Sequence, residues 1–273
     1  MWAMTLEPLV LGTLAAVVFG MSRTGVPSLG AFGMALLATA VDPVRAAGLA
    51  LPVLIVGDLV ALRLYARSAR LRLLVVLLPS VVVGLAAGWA VLRFLDAGAA
   101  GRLVGAVLLV SGGWELLRRV ARRRADHRAT VRAATSGPVA PARTASPVPA
   151  GLPTVGDRLV RGLLGAGAGL STMVANAGGP LMGLYLLRAR LGPAAFLGTN
   201  AWFFFVVNLA KVPFSVGLGL ITPGSLALSA ALLPGLVLGA VGGRWLVRRM
   251  SFDVFGLVVL VATVVAGAWL VVR

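Results

Sequence analysis

The sequence predicts an all-α polytopic membrane protein made of two inverted repeats, each a broken or re-entrant helical hairpin followed by three transmembrane helices. Three observations lead there. The 273 residues are 59% hydrophobic and only 12% charged, too little polar surface to cover a soluble domain of this size. The apolar stretches lack the period-two alternation of outer-membrane strands, which leaves helices as the structure that satisfies its own backbone in lipid. Finally, prolines, glycines and a tryptophan recur in matched registers when the chain is compared with itself.

Taken in order, the N-terminal MWAMTLEPLVLGTLAAVVFG lacks the basic n-region and cleavage site of a signal peptide and is expected to stay in the mature protein. Residues 9–40 are apolar but interrupted by Ser22-Arg23-Thr24-Gly25-Val26-Pro27, and they read as two half-length helices around a non-helical break. Spans of membrane length follow over 44–64, 73–95 and 99–117. A second broken region, 159–190, is interrupted by Asn176-Ala177-Gly178-Gly179-Pro180, and three further spans cover 194–218, 225–247 and 253–272. The organisation is therefore a first membrane repeat over 1–118, a basic Pro-rich linker over 119–157 and a second repeat over 158–273. The linker holds five arginines from Arg122 to Arg132 and five prolines from Pro138 to Pro153, a solvated composition, and His127 within it reads as a solvent-exposed residue.

At an offset of 150 residues Pro43 falls on Pro193, Gly48 on Gly198 and Asp58 on Asn208; at 155, Pro79 falls on Pro234, Gly84 on Gly239 and Trp114 on Trp269. Arginines then orient the helices, because basic residues of short loops stay in the cytoplasm. With Arg63 to Arg72, the linker, Arg188 with Arg190, and Arg244 to Arg249 all cytoplasmic, the helix over 44–64 runs inward and its counterpart over 194–218 runs outward. The repeats are inverted on this assignment, and both broken regions become re-entrant hairpins.

Irregular backbone at membrane depth is tolerated only where protein or a watery cavity satisfies it, so the breaks should face inward. The second half-helices, starting near Ser28 and Pro180, would aim free N–H groups and a positive dipole end at the centre, an arrangement that attracts anions. Arg23 adds a cation, Ser22 and Thr24 hydroxyl donors, and Gly25 close backbone approach. Asp58 sits mid-helix in LPVLIVGDLVALRL, where a carboxylate is either a proton-coupling group or a structural partner of Arg23. Lys211, the chain's single lysine, follows Asn208 by one turn on the same face; Asn176, Gly178, Gly179 and Asn200 complete the expected anion site.

Several classes are set aside. A net charge of +17 invites a nucleic-acid reading, but the polar surface such readers carry is missing. Cysteine is absent, no metal site is expected, and no nucleophile–base pair or carboxylate dyad is read within the bilayer, so neither an enzyme nor a cofactor is expected.

The strings GMSRTGVPSLG, ANAGGPLMGLYLL and GTNAWFFFVVNLAKVPF resemble the sulfite exporter TauE/SafE family over both halves. The chain departs from many members by carrying Ser22-Arg23-Thr24-Gly25 where they have a run of glycines. The resemblance implies a multi-pass protein of the cell (inner) membrane that transports sulfite, sulfoacetate or a related organic acid. The partners expected are therefore a small anionic substrate and the lipid bilayer, with the linker cytoplasmic; the alternatives are a passive anion channel and a structural membrane subunit.

Overall fold

The fold was read from a computed structural model, which describes residues 6–41, 43–94, 155–217 and 219–272, with helical positions scattered between 99 and 120. Among the described residues there is helix and no strand. The first broken region forms α1 (Leu6–Thr24) and α2 (Leu29–Ala40), followed by α3 (Pro43–Tyr65), a 3-10 turn at Ala66–Ser68 and α4 (Leu71–Phe94). The second forms α5 (Val155–Ala175) and α6 (Gly179–Arg188), followed by α7 (Pro193–Gly217), α8 (Pro223–Arg248) and α9 (Phe252–Val272). Most of the expected linker, with His127, and much of the span expected over 99–117, with Trp114, lie outside the described residues.

Four segments are long and apolar enough to cross a membrane: Gly48–Ser68, Leu71–Val91, Pro193–Gly217 and Pro223–Arg248. The broken regions differ from the half-length pairs expected. α1 has 19 residues and α5 has 21, whereas α2 has 12 and α6 has 10. The helix runs on through Ser22 and Arg23, where nothing denies it hydrogen bonds, and ends at Thr24, ahead of Pro27, which lacks an N–H and disfavours helix at the residue before it. Arg23 thus stands in the last turn of α1.

The two halves interlock. α1 packs along α8 and α5 along α4, so the opening helix of each half lies against a helix of the other. Glycines set the spacing at these crossings. A Cβ on Gly84 would strike the Ala166 carbonyl, and one on Gly239 would strike the Val17 carbonyl. Gly48 meets Leu220 and Gly198 meets Tyr65 in the same manner. Gly84 with Gly239 and Gly48 with Gly198 are the pairs matched in sequence, so equivalent places make equivalent contacts with the halves exchanged.

Two apolar clusters fill the interior. One centres on α6, buried from Gly179 through Leu187, with Phe196, Phe203, Phe204 and Phe255 around it. The other joins α1, α3 and α8 through Phe19, Leu49, Leu54, Leu232 and Leu236. Polar side chains gather between these two bodies of packing.

Candidate functional site

Three helices bring the centre together. Arg23 comes from the end of α1, Asp58 from the middle of α3 and Asn208 from the middle of α7, exposed by only 7%, 0% and 1%. Arg23 Nε lies 3.2 Å from Asp58 Oδ1, a charge pair without an aligned hydrogen bond, and Asn208 Nδ2 donates to Asp58 Oδ2 at 2.7 Å. Asp58 and Asn208, matched at the 150-residue offset, therefore meet each other directly. The guanidinium carbon of Arg23 sits 4.5 Å from the centroid of the Phe204 ring, a cation–π stack. Its Nε is buried without an aligned hydrogen-bond acceptor among the described residues.

The second cation reaches the other break. Lys211 Nζ donates to the Thr172 carbonyl at 2.9 Å and to Asn176 Oδ1 at 2.5 Å. Asn176 takes the left-handed backbone region at φ 50°, which turns the chain from α5 into α6 and presents its amide to the lysine. The breaks touch: a Cβ on Gly179 would collide with the Pro27 carbonyl. Two cationic side chains and one carboxylate thus share an interior in which charge is costly to leave unbalanced.

A family model described as Sulfite exporter TauE/SafE matches residues 9–270. The chain belongs to the sulfite exporter TauE/SafE family. No curated protein and no solved structure matches it. As a TauE/SafE protein it is a multi-pass membrane transporter, and the family points to sulfite or related anions as its cargo.

Not every residue expected at the TauE/SafE site is free for a ligand. The Ser22 hydroxyl donates to the Pro27 carbonyl at 3.0 Å, and the Thr24 hydroxyl is shared between the carbonyls of Ala240 at 2.7 Å and Gly20 at 3.1 Å. These bonds hold the first break shut on itself and on α8. Gly25 is accounted for by packing, since a Cβ there would press on the Met21 carbonyl and on Gly243. Gly178 is hemmed in by Ala168 and Thr172. Asn200 is 1% exposed, and neither amide atom has a partner among the described residues.

The N-terminus of α2 is less open than expected. The Ser28 hydroxyl does not cap it but donates to the Val259 carbonyl at 3.1 Å and lies 3.0 Å from Thr263 Oγ1. The amides of Leu29 and Gly30 turn back to the carbonyls of Val26 and Pro27. The chain itself satisfies these two of the donors that would have faced an anion.

Residues that sequence reasoning missed are Phe204, which carries the guanidinium, and Tyr65, whose hydroxyl donates to the Thr24 carbonyl at 3.3 Å. Phe204 had one available signal, its place one turn before Asn208 on the same helical face. A separate groove of about 630 Å³, lined by Val83, Ala87, Leu163 and Arg188 among others, lies between α4, α5 and α6 and includes none of the site residues.

Proposed function

We propose that this TauE/SafE protein is a secondary transporter that exports a small anion, such as sulfite, an organosulfonate or a related organic acid, across the cell (inner) membrane. The observation that supports it is the buried Arg23 guanidinium, which lies 3.2 Å from Asp58 through Nε without an aligned hydrogen bond among the described residues and stacks on Phe204. A guanidinium presents paired N–H groups that match two oxygens of an oxyanion, while Phe204 holds its plane. Lys211 and Asn176 supply a second polar group at the other break, with the backbone of Gly178 and Gly179 beside them.

Asp58 is the coupling group in this reading. The carboxylate and the bound anion are counter-ions of the same arginine, so a proton on Asp58 removes competing negative charge and strengthens anion binding. The breaks form re-entrant hairpins of inverted repeats, and the linker is cytoplasmic.

The test is labelled-sulfite flux in reconstituted vesicles with and without a proton gradient. Arg23→Ala is expected to lose at least about tenfold in flux, the usual cost of deleting a charge-assisted hydrogen-bond donor. Asp58→Asn is expected to lose the gradient dependence. Unaltered gradient-driven flux in both variants removes the assignment. Accumulation that never exceeds equilibrium replaces the transporter with a passive anion channel.

A further inference from the structure

Asn200 presents a problem that the charge pair does not solve. It is 99% buried, yet among the described residues neither Nδ2 nor Oδ1 has a hydrogen-bond partner, and the Ser171 hydroxyl, fully buried, has none either. A buried amide left in this state costs stability at both ends. Its position gives the orphan atoms a direction. α7 places Asn200, Phe204 and Asn208 four residues apart on one face, with Lys211 three further on. Phe204 carries Arg23, Asn208 holds Asp58, and Lys211 holds the second break. Asn200 opens that row about 6 Å along the helix axis from Phe204. Ser171 is adjacent in sequence to Thr172, whose carbonyl receives Lys211.

We infer that the substrate carries a hydrogen-bond donor of its own, an O–H or N–H, besides its anionic head, and that Asn200 is the residue that reads it. The inference rests on the anion reading above and narrows it. An amide offers two N–H donors and one carbonyl acceptor. A fully deprotonated oxoanion supplies acceptors only. It satisfies Nδ2 but sets its negative oxygens against Oδ1. Exchanging the amide's O and N does not remove the conflict, because both atoms are orphaned. A protonated oxoanion, a hydroxyalkane sulfonate or a hydroxy acid satisfies both ends at once. Charge is then read by Arg23 and the donor by Asn200.

The experiment compares near-isosteres with the same head group on the purified full-length protein: 2-hydroxyethanesulfonate against propane-1-sulfonate, and glycolate against propionate, by calorimetry and by ligand-induced shift in melting. The wild type is expected to bind the hydroxylated member of each pair at least about tenfold more tightly, the usual penalty for an unpaired buried polar group. In Asn200→Leu the two members should bind within about twofold of one another. Equal affinity in the wild type overturns the inference, for a buried water would then be meeting the needs of the amide. A preference that survives Asn200→Leu overturns it as well. Should that variant fail to fold, the wild-type comparison decides alone. Failure of all four anions to bind, or binding unchanged in Arg23→Leu, removes the anion reading itself.

Discussion

Arg23 is held from two sides, by a carboxylate at its Nε edge and by an aromatic ring on its face, and the third side is where selectivity would act. Replacing Phe204 with leucine removes the ring quadrupole while keeping apolar volume. The expected loss is about 0.5–2 kcal/mol of anion affinity, roughly two- to thirtyfold in Kd, read by calorimetry with sulfite. Asn208→Leu attacks the opposite side. It leaves Asp58 Oδ2 buried without a donor and is expected to cost about 1–3 kcal/mol of stability in a melting assay, with part of that cost recovered when Asp58→Asn removes the charge. Arg23, Asp58, Asn208 and Lys211 were legible in the sequence because polar groups within apolar helices are expensive and stand out. Even the encounter of Asp58 with Asn208 was half visible, as a match at the 150-residue offset. The choice of Phe204 was not, since a run such as Trp202-Phe203-Phe204-Phe205 does not say which ring faces a cation that arrives from another helix.

Helices were legible by apolar length, and their ends agree with the expected spans within two residues for α3, α4, α7, α8 and α9. The break expected over Ser22–Pro27 in the first half overlaps the observed one but begins three residues early, because the polar run of Ser22, Arg23 and Thr24 looked like an interruption. Backbone hydrogen bonding is indifferent to that polarity, and Pro27 makes the stop. Close packing of helices was foreshadowed by the matched glycines Gly48 with Gly198 and Gly84 with Gly239, but which helix each would meet was not, for small residues announce an approach without naming the partner. A direct check is available at α8. Gly239→Leu drives a side chain into the Val17 backbone and is expected to lose about 1–3 kcal/mol or more, whereas Gly242→Leu, with nothing within 4 Å of its Cβ, should change stability by less than about 0.5 kcal/mol. Gly84→Leu should match Gly239→Leu, because it makes the same collision with the halves exchanged. Equal melting of the glycine 239 and 242 variants would refute the packing account.

At the scale of the molecule, neither half has a complete interior of its own, since α1 relies on α8 and α4 relies on α5. Cutting the chain between residues 121 and 150 and producing the two pieces together is therefore expected to yield a complex that copurifies through a tag on one piece. Each piece produced alone should be degraded or aggregate. Independent recovery of a folded half would show that the interlock is dispensable. The same interlock has a consequence in time. The Thr24 hydroxyl must find the Ala240 carbonyl 216 residues later, beside the crossing of Gly20 with Leu236. At synthesis rates of about 5–20 residues per second, roughly 10 to 40 seconds separate the emergence of these partners from the ribosome. Throughout that interval the glycine flank of α1 must be sheltered by lipid or by the insertion machinery. α1 is made well before α8 and is covered only once α8 arrives.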